Sequence, residues 1–297
     1  MPCFGPLTAY RPKAGASSRK LVFRLDKSED GLRVMVPCGR CTGCRLERSR
    51  QWAMRCMHEV RMHNMSSFVT LTYNDEWLPE GNTLVLPDLQ KFMKRLRKVT
   101  GDGLRFYACG EYGDSNGRPH YHVLLLNYDF DDRRYYRLAK RGERLFTSAT
   151  LDGLWSSDGR NMGLAVVGDV SFDSCAYVAR YIMKKRLGGR DFKIDPETGV
   201  VLLPEFTVMS RNPGLGTGYV EKYGNEVLAF DSVVVNGREV RPPRFYDTKL
   251  DGIDPVRMDA IRCERKARVV PSEGTSRRLR AKEEFLEAAL KSKSREL

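Results

Sequence analysis

Arg118-Pro119-His120-Tyr121-His122-Val123-Leu124-Leu125-Leu126 alternates polar and aromatic residues and then runs apolar, as a strand does where it leaves the core. In a strand, residues i and i+2 share a face, which puts His120 and His122 side by side, roughly 7 Å apart along the backbone. The chain has 4 histidines, and these are two of them. Two imidazoles on one stiff face suit two ligands of one metal; the other reading is a pair of hydrogen-bonded surface histidines at a strand end. Working back, Leu104 to Gly110 reads as the partner strand. Tyr112-Gly113-Asp114-Ser115-Asn116-Gly117-Arg118-Pro119 reads as the connection, since Asn-Gly and Pro form turns. That antiparallel hairpin brings Glu111 toward His120. Glu111, His120 and His122 then make a mixed nitrogen and oxygen set with open positions, suited to Mg²⁺, Mn²⁺ or another divalent ion that can also take a phosphate oxygen.

Further upstream, Ser66-Ser67-Phe68-Val69-Thr70-Leu71-Thr72-Tyr73 is β-branched and aromatic and reads as a buried strand. Pro87 and Asp88 start a helix with Asp88 as its cap. Its Leu89, Phe92, Met93, Leu96 and Val99 form a packing side. Lys91, Lys94, Arg95, Arg97 and Lys98 occupy the other faces, as phosphate contacts or as a solvated charged surface. Residues 1 to 37 read as irregular and basic, and a helix is expected from Arg45 to His63. Between them, Cys38, Cys41 and Cys44 sit at Cys-x2-Cys-x2-Cys spacing. With Cys3 as fourth ligand they would hold a structural Zn²⁺, the alternatives being plain loop thiols or an iron–sulfur cluster.

Downstream, a variable-looking insertion runs to about Gly168, and a helix from Asp173 or Ser174 to Lys185 ends at Gly188-Gly189. On it Tyr177 and Tyr181 are four residues apart and share a face, with Arg180 and Lys184 each three residues after a tyrosine. A phenol of pKa near ~10 attacks poorly until its anion is stabilised, and a neighbouring cation helps. Two core tyrosines are the alternative. Short strands such as Ser232 to Val235 follow between 200 and 250, and the tail from 262 is strongly polar.

The 297 residues are 41% hydrophobic, which supports one main folded core with appendages. Lys and Arg number 51 against 38 Asp and Glu, for a net charge of +13, which favours a polyanionic partner. No run approaches the ~18 apolar residues of a membrane span, and the N-terminus lacks the order of a secretory signal, so a cytosolic protein is expected. No Gly-x4-Gly-Lys nucleotide-binding pattern is present.

Taken together, Phe68-Val69-Thr70-Leu71-Thr72-Tyr73, Arg118-Pro119-His120-Tyr121-His122 and Tyr177-Val178-Ala179-Arg180-Tyr181-Ile182-Met183-Lys184-Lys185 resemble, in order, the three motifs of the HUH endonucleases. More narrowly, Cys38-Gly39-Arg40-Cys41-Thr42-Gly43-Cys44-Arg45, Ala108-Cys109-Gly110-Glu111-Tyr112-Gly113 and Ser210-Arg211-Asn212-Pro213-Gly214-Leu215-Gly216 resemble the rolling-circle replication initiators of gokushovirus-type microviruses. Tyr121 stands where that superfamily usually has a hydrophobic residue. The resemblance implies an α+β fold, with a central antiparallel sheet flanked by helices, a Cys-rich element over 1–50, an endonuclease core over 51–200, a packed part over 201–260 and a basic helical tail over 261–297. It implies a metal-dependent nickase and strand transferase acting through a 5′-phosphotyrosine. Tyr177 and Tyr181 would attack, Arg180 and Lys184 would stabilise charge, and Lys185 would join the DNA contacts. Implied partners are single-stranded origin DNA and host replication proteins, including a separate helicase for strand opening, in the cytoplasm of a bacterial host. A non-catalytic zinc-stabilised nucleic-acid binder, or a relaxase or transposase of the same superfamily, are the competing readings.

Overall fold

A computed structural model describes residues 3–13, 21–113, 116–139, 142–172, 174–176, 178–179, 193–194, 199–235 and 237–295. The chain divides into two compact units, Met1–Arg48 with Arg265–Leu297, and Ser49–Glu264. In the first, β1 (Leu7–Pro12) pairs antiparallel with β2 (Ser28–Val36), and Cys38 to Cys44 lead into helix α1 (Thr42–Val60). The helix starts three residues earlier than the sequence suggests, so Cys44 already lies in its first turn.

The second unit is built on one sheet. Its strands are β3 (Ser66–Thr72), β4 (Arg105–Tyr112), β5 (Pro119–Leu126), β6 (Arg134–Leu138), β7 (Arg144–Thr147), β10 (Ala165–Gly168) and β13 (Phe206–Met209), with β8 (Ser156–Ser157) and β9 (Arg160–Asn161), and β11 (Lys193–Ile194) and β12 (Val201–Leu202), as separate small pairs. The order across the seven-stranded sheet is β13-β4-β5-β3-β10-β7-β6, antiparallel at each step. The expected α+β architecture with a large antiparallel sheet is thus present. The stretch before Gly168, which reads as a variable insertion, instead supplies β6, β7 and β10, and β10 lies directly against β3. Its four residues Ala165-Val166-Val167-Gly168 are buried but too few for a periodic signal.

Both faces of the sheet are covered. Against one, α2 (Leu86–Thr100) buries Leu89, Phe92, Met93 and Leu96 with Val69, Leu71, Tyr121, Val123 and Leu125, and α3 (Ala149–Leu154) adds Leu151 and Leu154. Each such side chain contributes about 1.5–3 kcal/mol by leaving water. The helix begins at Leu86, two residues before the expected cap. Asp88 does not cap it; its carboxylate accepts the Tyr73 hydroxyl at 2.8 Å. Val99, expected on the packing side, is exposed. On the opposite face, Cys56, Tyr107, Cys109, Leu124 and Leu126 pack with Cys175, Val178 and Leu215, so α1 lies here together with the described residues of the 174–179 segment.

Beyond the sheet, α4 (Thr217–Phe230), the hairpin β14 (Val233–Val235) and β15 (Arg238–Val240), α5 (Arg244–Asp251) and α6 (Pro255–Ala267) follow, and Val220, Val227, Val233, Tyr246, Leu250 and Ile261 share a separate cluster. The last helix, α7 (Ser276–Arg295), carries the charged tail. No helix among the described residues is long and apolar enough to cross a membrane.

Candidate active site

The registers of β3, β4 and β5 assemble the site. Across β4 and β5, Glu111 lies opposite His120 and Cys109 opposite His122; across β3 and β5, Thr72 lies opposite His120 and Thr70 opposite His122. Because side chains alternate, Glu111, His120, His122, Thr70 and Thr72 share the face on which α1 packs, at the end of the strands beyond the buried Leu124 and Tyr107. Tyr121 points the other way and is fully buried. Its hydroxyl accepts the amide of Val85 at 2.9 Å and donates to the carbonyl of Val85 at 3.0 Å, at the N-terminus of α2. That explains the polar residue between the histidines, since the phenol ties α2 to the strand that carries them. At Gly110, beside Glu111, a Cβ would meet the Phe206 ring at 2.8 Å, so no side chain fits between β4 and that ring.

The three ligand atoms lie within 4.8 Å of one another. Glu111 Oε1 is 2.6 Å from His120 Nε2 and 2.9 Å from His122 Nε2. The far nitrogen of each ring is also engaged, His122 Nδ1 with the Thr70 hydroxyl at 2.9 Å and His120 Nδ1 with the Arg118 carbonyl at 3.1 Å. A carbonyl only accepts, so His120 Nδ1 carries the proton and a neutral ring turns the Nε2 lone pair toward the carboxylate. Two lone pairs at that distance repel unless a proton or metal cation lies between them. The geometry therefore fits a shared cation, with Thr70 and Arg118 fixing both rings from behind.

The electrostatics agree. Without a metal, protons on Nε2 fill that place: burial pushes the Glu111 carboxyl up, but hydrogen bonds from His120 and His122 in that protonated state outweigh it and hold it at about 2. Burial lowers His122 by disfavouring the imidazolium, and its hydrogen bond to Glu111 opposes this. An ionised carboxylate beside a neutral imidazole is the protonation state a divalent ion requires. The turn before His120 is braced by Arg118, whose guanidinium donates to Asp75 at 2.6 Å and to the Tyr73 carbonyl at 3.1 Å. The strand alternation, which puts Thr70 and Thr72 on the histidine face, is the signal in the sequence for both.

In the other unit Cys3, Cys38, Cys41 and Cys44 also bring their sulfurs within 4.8 Å of one another. Backbone amides point at them: Cys38 N at Cys3 Sγ, 3.3 Å; Cys41 N at Cys38 Sγ, 3.3 Å; Phe4 N at Cys41 Sγ, 3.3 Å. Burial raises the Cys38 thiol, yet the amides of Cys41 and Arg40 bring it down to about 7. None of the eight cysteines is in a disulfide. Four converging sulfurs with amide donors aimed at them fit a tetrahedral metal closed to further ligands.

Other predicted residues fall elsewhere. Lys91, Lys94, Arg97 and Lys98 are exposed on α2, which covers the sheet face opposite the histidines, and Arg95 is half-buried there. Tyr177, Arg180, Tyr181, Lys184 and Lys185 lie outside the described residues. Their neighbours Cys175 and Val178 are buried with Tyr107, Cys109 and Leu124 on the histidine face.

The family described as replication-associated protein ORF2/G2P matches residues 66–186, a span that includes Glu111, His120, His122 and both tyrosines. Replication-associated protein VP4 of Bdellovibrio phage phiMH2K is 33% identical over 258 residues, covering 83% of this chain and 76% of that protein. Replication-associated protein ORF2 of Spiroplasma virus 4 is 30% identical over 276 residues, covering 84% and 81%. Replication-associated protein ORF4 of Chlamydia phage 1 is 27% identical over 219 residues, covering 71% and 52%. No solved structure matches. With 33% identity over 83% of this chain and 76% of the Bdellovibrio phage protein, the protein belongs to the family of phage replication-associated proteins of the microvirus type.

Proposed function

We propose that this protein is a site-specific single-strand DNA endonuclease and strand transferase that nicks the origin of a circular single-stranded phage genome to start rolling-circle replication. The observation that carries the reading is the convergence of Glu111, His120 and His122 on one sheet face, each imidazole fixed through its far nitrogen. Mg²⁺ or Mn²⁺ held by these three would supply a Lewis acid for a phosphate oxygen. Glu111 keeps the ligand set anionic, while Thr70 and Arg118 hold both Nε2 atoms toward it.

In this reading the phenol oxygen of Tyr177 or Tyr181 forms a bond to phosphorus as the P–O3′ bond breaks, and the phenol proton passes through solvent to the released 3′ oxygen. The 5′-phosphotyrosyl enzyme and a free 3′-hydroxyl result, and that hydroxyl primes a host polymerase with a separate helicase opening the duplex. Arg180 and Lys184 stabilise phenolate and phosphate charge. A second tyrosine lets the regenerated origin be cut before the first bond is released, so that strand transfer closes the displaced circle. Burial of Cys175 and Val178 on the histidine face supports a role for the tyrosine motif at this site. Structural Zn²⁺ on the four cysteines would fix the N-terminus to the start of α1, and the work would take place in the host cytoplasm.

The test is an adduct assay with labelled single-stranded DNA from the replicon and Mn²⁺, comparing wild type with Tyr177→Phe, Tyr181→Phe and the double variant. A slow-migrating covalent species that disappears fully only in the double variant is expected. Salt-sensitive binding with no adduct on any tiled origin strand would leave a binding module instead.

A further inference from the structure

Resting on the nickase reading, we infer that the edge hairpin β6–β7 is the surface on which single-stranded DNA flanking the scissile phosphate lies. Within residues 133–144 the sequence is Arg-Arg-Tyr-Tyr-Arg-Leu-Ala-Lys-Arg-Gly-Glu-Arg, six basic residues against one acidic. Arg133 is held by Asp129 and Asp169 and belongs to the scaffold. Arg134, Tyr135, Tyr136, Arg137 and Leu138 are exposed along the whole of β6, as is Arg144 across from them. An edge strand can be guarded against stray pairing by charge alone. Exposed tyrosines add nothing to such a guard, and the Arg137 guanidinium lies 5.4 Å from the Tyr136 ring centroid. Cations interleaved with open aromatic faces are what a single strand uses, phosphates on the one and bases on the other.

The sheet register aims the arginines of this surface at the site, while Tyr135, opposite Phe146, falls on the other face and Tyr136 stands in the bulge between Tyr135 and Arg137. Arg134 lies opposite Thr147 on β7. The β7–β10 ladder puts Phe146 against Val167, hence Thr147 beside Val166; Val166 faces Thr70, and Thr70 faces His122. Arg134 thus stands in one lateral row, on one sheet face, with His122. Arg137, opposite Leu145, falls on the same face beside Gly168 and Phe68. β6 is four strand steps from β5, about 19 Å at the usual spacing. A strand stacked at about 3.4 Å per nucleotide covers that in about six nucleotides, and a stretched one in fewer. The basic residues of α2, on the far face, have no such path.

The experiment measures binding in metal-free buffer, where cutting cannot contribute. The full chain, Tyr136→Ala, Arg134→Ala/Arg137→Ala and a control Lys91→Ala/Lys94→Ala/Lys98→Ala are titrated against oligothymidylates shorter than about six nucleotides and several times longer. Tyr136→Ala is expected to weaken the long oligonucleotide about tenfold, and the double arginine variant to lower its salt slope by about 1.4, with short oligonucleotides and the α2 control close to wild type. Photocrosslinking of a 5-iododeoxyuridine strand should mark the 134–144 peptide. Equal binding by wild type and both hairpin variants, or crosslinks confined to α2, would overturn the inference. Adduct formation by wild type on origin DNA is scored separately: its absence removes the nickase reading, and the binding arm still decides the hairpin.

Discussion

The two ligand clusters of this chain are built in opposite ways. Three of the four cysteines lie within seven consecutive residues, and backbone amides of the same turn point at their sulfurs, so most of that site is local. The Glu111, His120 and His122 site draws on three strands, with its carboxylate and imidazoles on β4 and β5 and its supporting hydroxyl on β3. One is a closed set of four soft sulfurs, the other an open set of three harder donors. Under the proposed function, the difference would separate a site that organises chain from one that leaves room for a substrate atom.

Removing a ligand from the open site should have the largest effect on chemistry. Glu111→Gln or His120→Ala should cut DNA cleavage by at least about a thousandfold while the chain stays folded by circular dichroism. The closed site should behave the other way. Cys41→Ser should release a bound zinc, seen by elemental analysis, and lower Tm by roughly 10 °C or more, yet leave the cleavage rate unchanged below the new transition. If Cys41→Ser abolished cleavage in a folded protein, the division of labour would be wrong.

A third histidine sharpens the contrast. His58 is as buried as His122 but has aromatic company, stacked on Tyr219 at 3.8 Å and bonded through Nδ1 to the Tyr246 hydroxyl at 2.8 Å. Burial lowers it to about 4, against 6.5 when free. The folded state therefore keeps it neutral while the unfolded chain takes a proton. Stability from this group is full above about pH 6.5 and is lost as pH falls toward 4, by up to about 3 kcal/mol. Urea unfolding across that window should show the loss in wild type and a flatter profile in His58→Phe.

The smallest expected effect is at Thr70. Thr70→Val removes the hydroxyl on His122 Nδ1 and should weaken Mn²⁺ affinity about 10–100-fold by titration calorimetry, with little change in Tm. An unchanged affinity would mean that strand packing alone orients the ring.

The same contrast explains what was legible in the sequence. Strand alternation put His120 and His122 on one face, and the turn residues between Tyr112 and Pro119 brought Glu111 to them, because hairpin geometry is local. Cys38, Cys41 and Cys44 were legible for the same reason, and Cys3 joined them only as a candidate. β10 was not, since four buried residues in mid-sheet carry no period, and their place is set by pairing with β3, nearly a hundred residues earlier. The amphipathic pattern of α2 gave four of the five residues on its buried side, missing at Val99, but could not say which sheet face the helix would cover, and so could not separate its lysines from the site. Asp88 failed as a cap because the Tyr73 hydroxyl, distant in sequence, claimed its carboxylate.

The most direct test of the account is cleavage of one labelled origin strand by chelator-treated protein, before and after Mn²⁺ is restored, in wild type and in His120→Ala/His122→Ala. No product is expected without metal, with recovery in wild type alone and a product whose 5′ end is bound to protein. Cleavage by the double histidine variant, or by wild type in excess chelator, would contradict it.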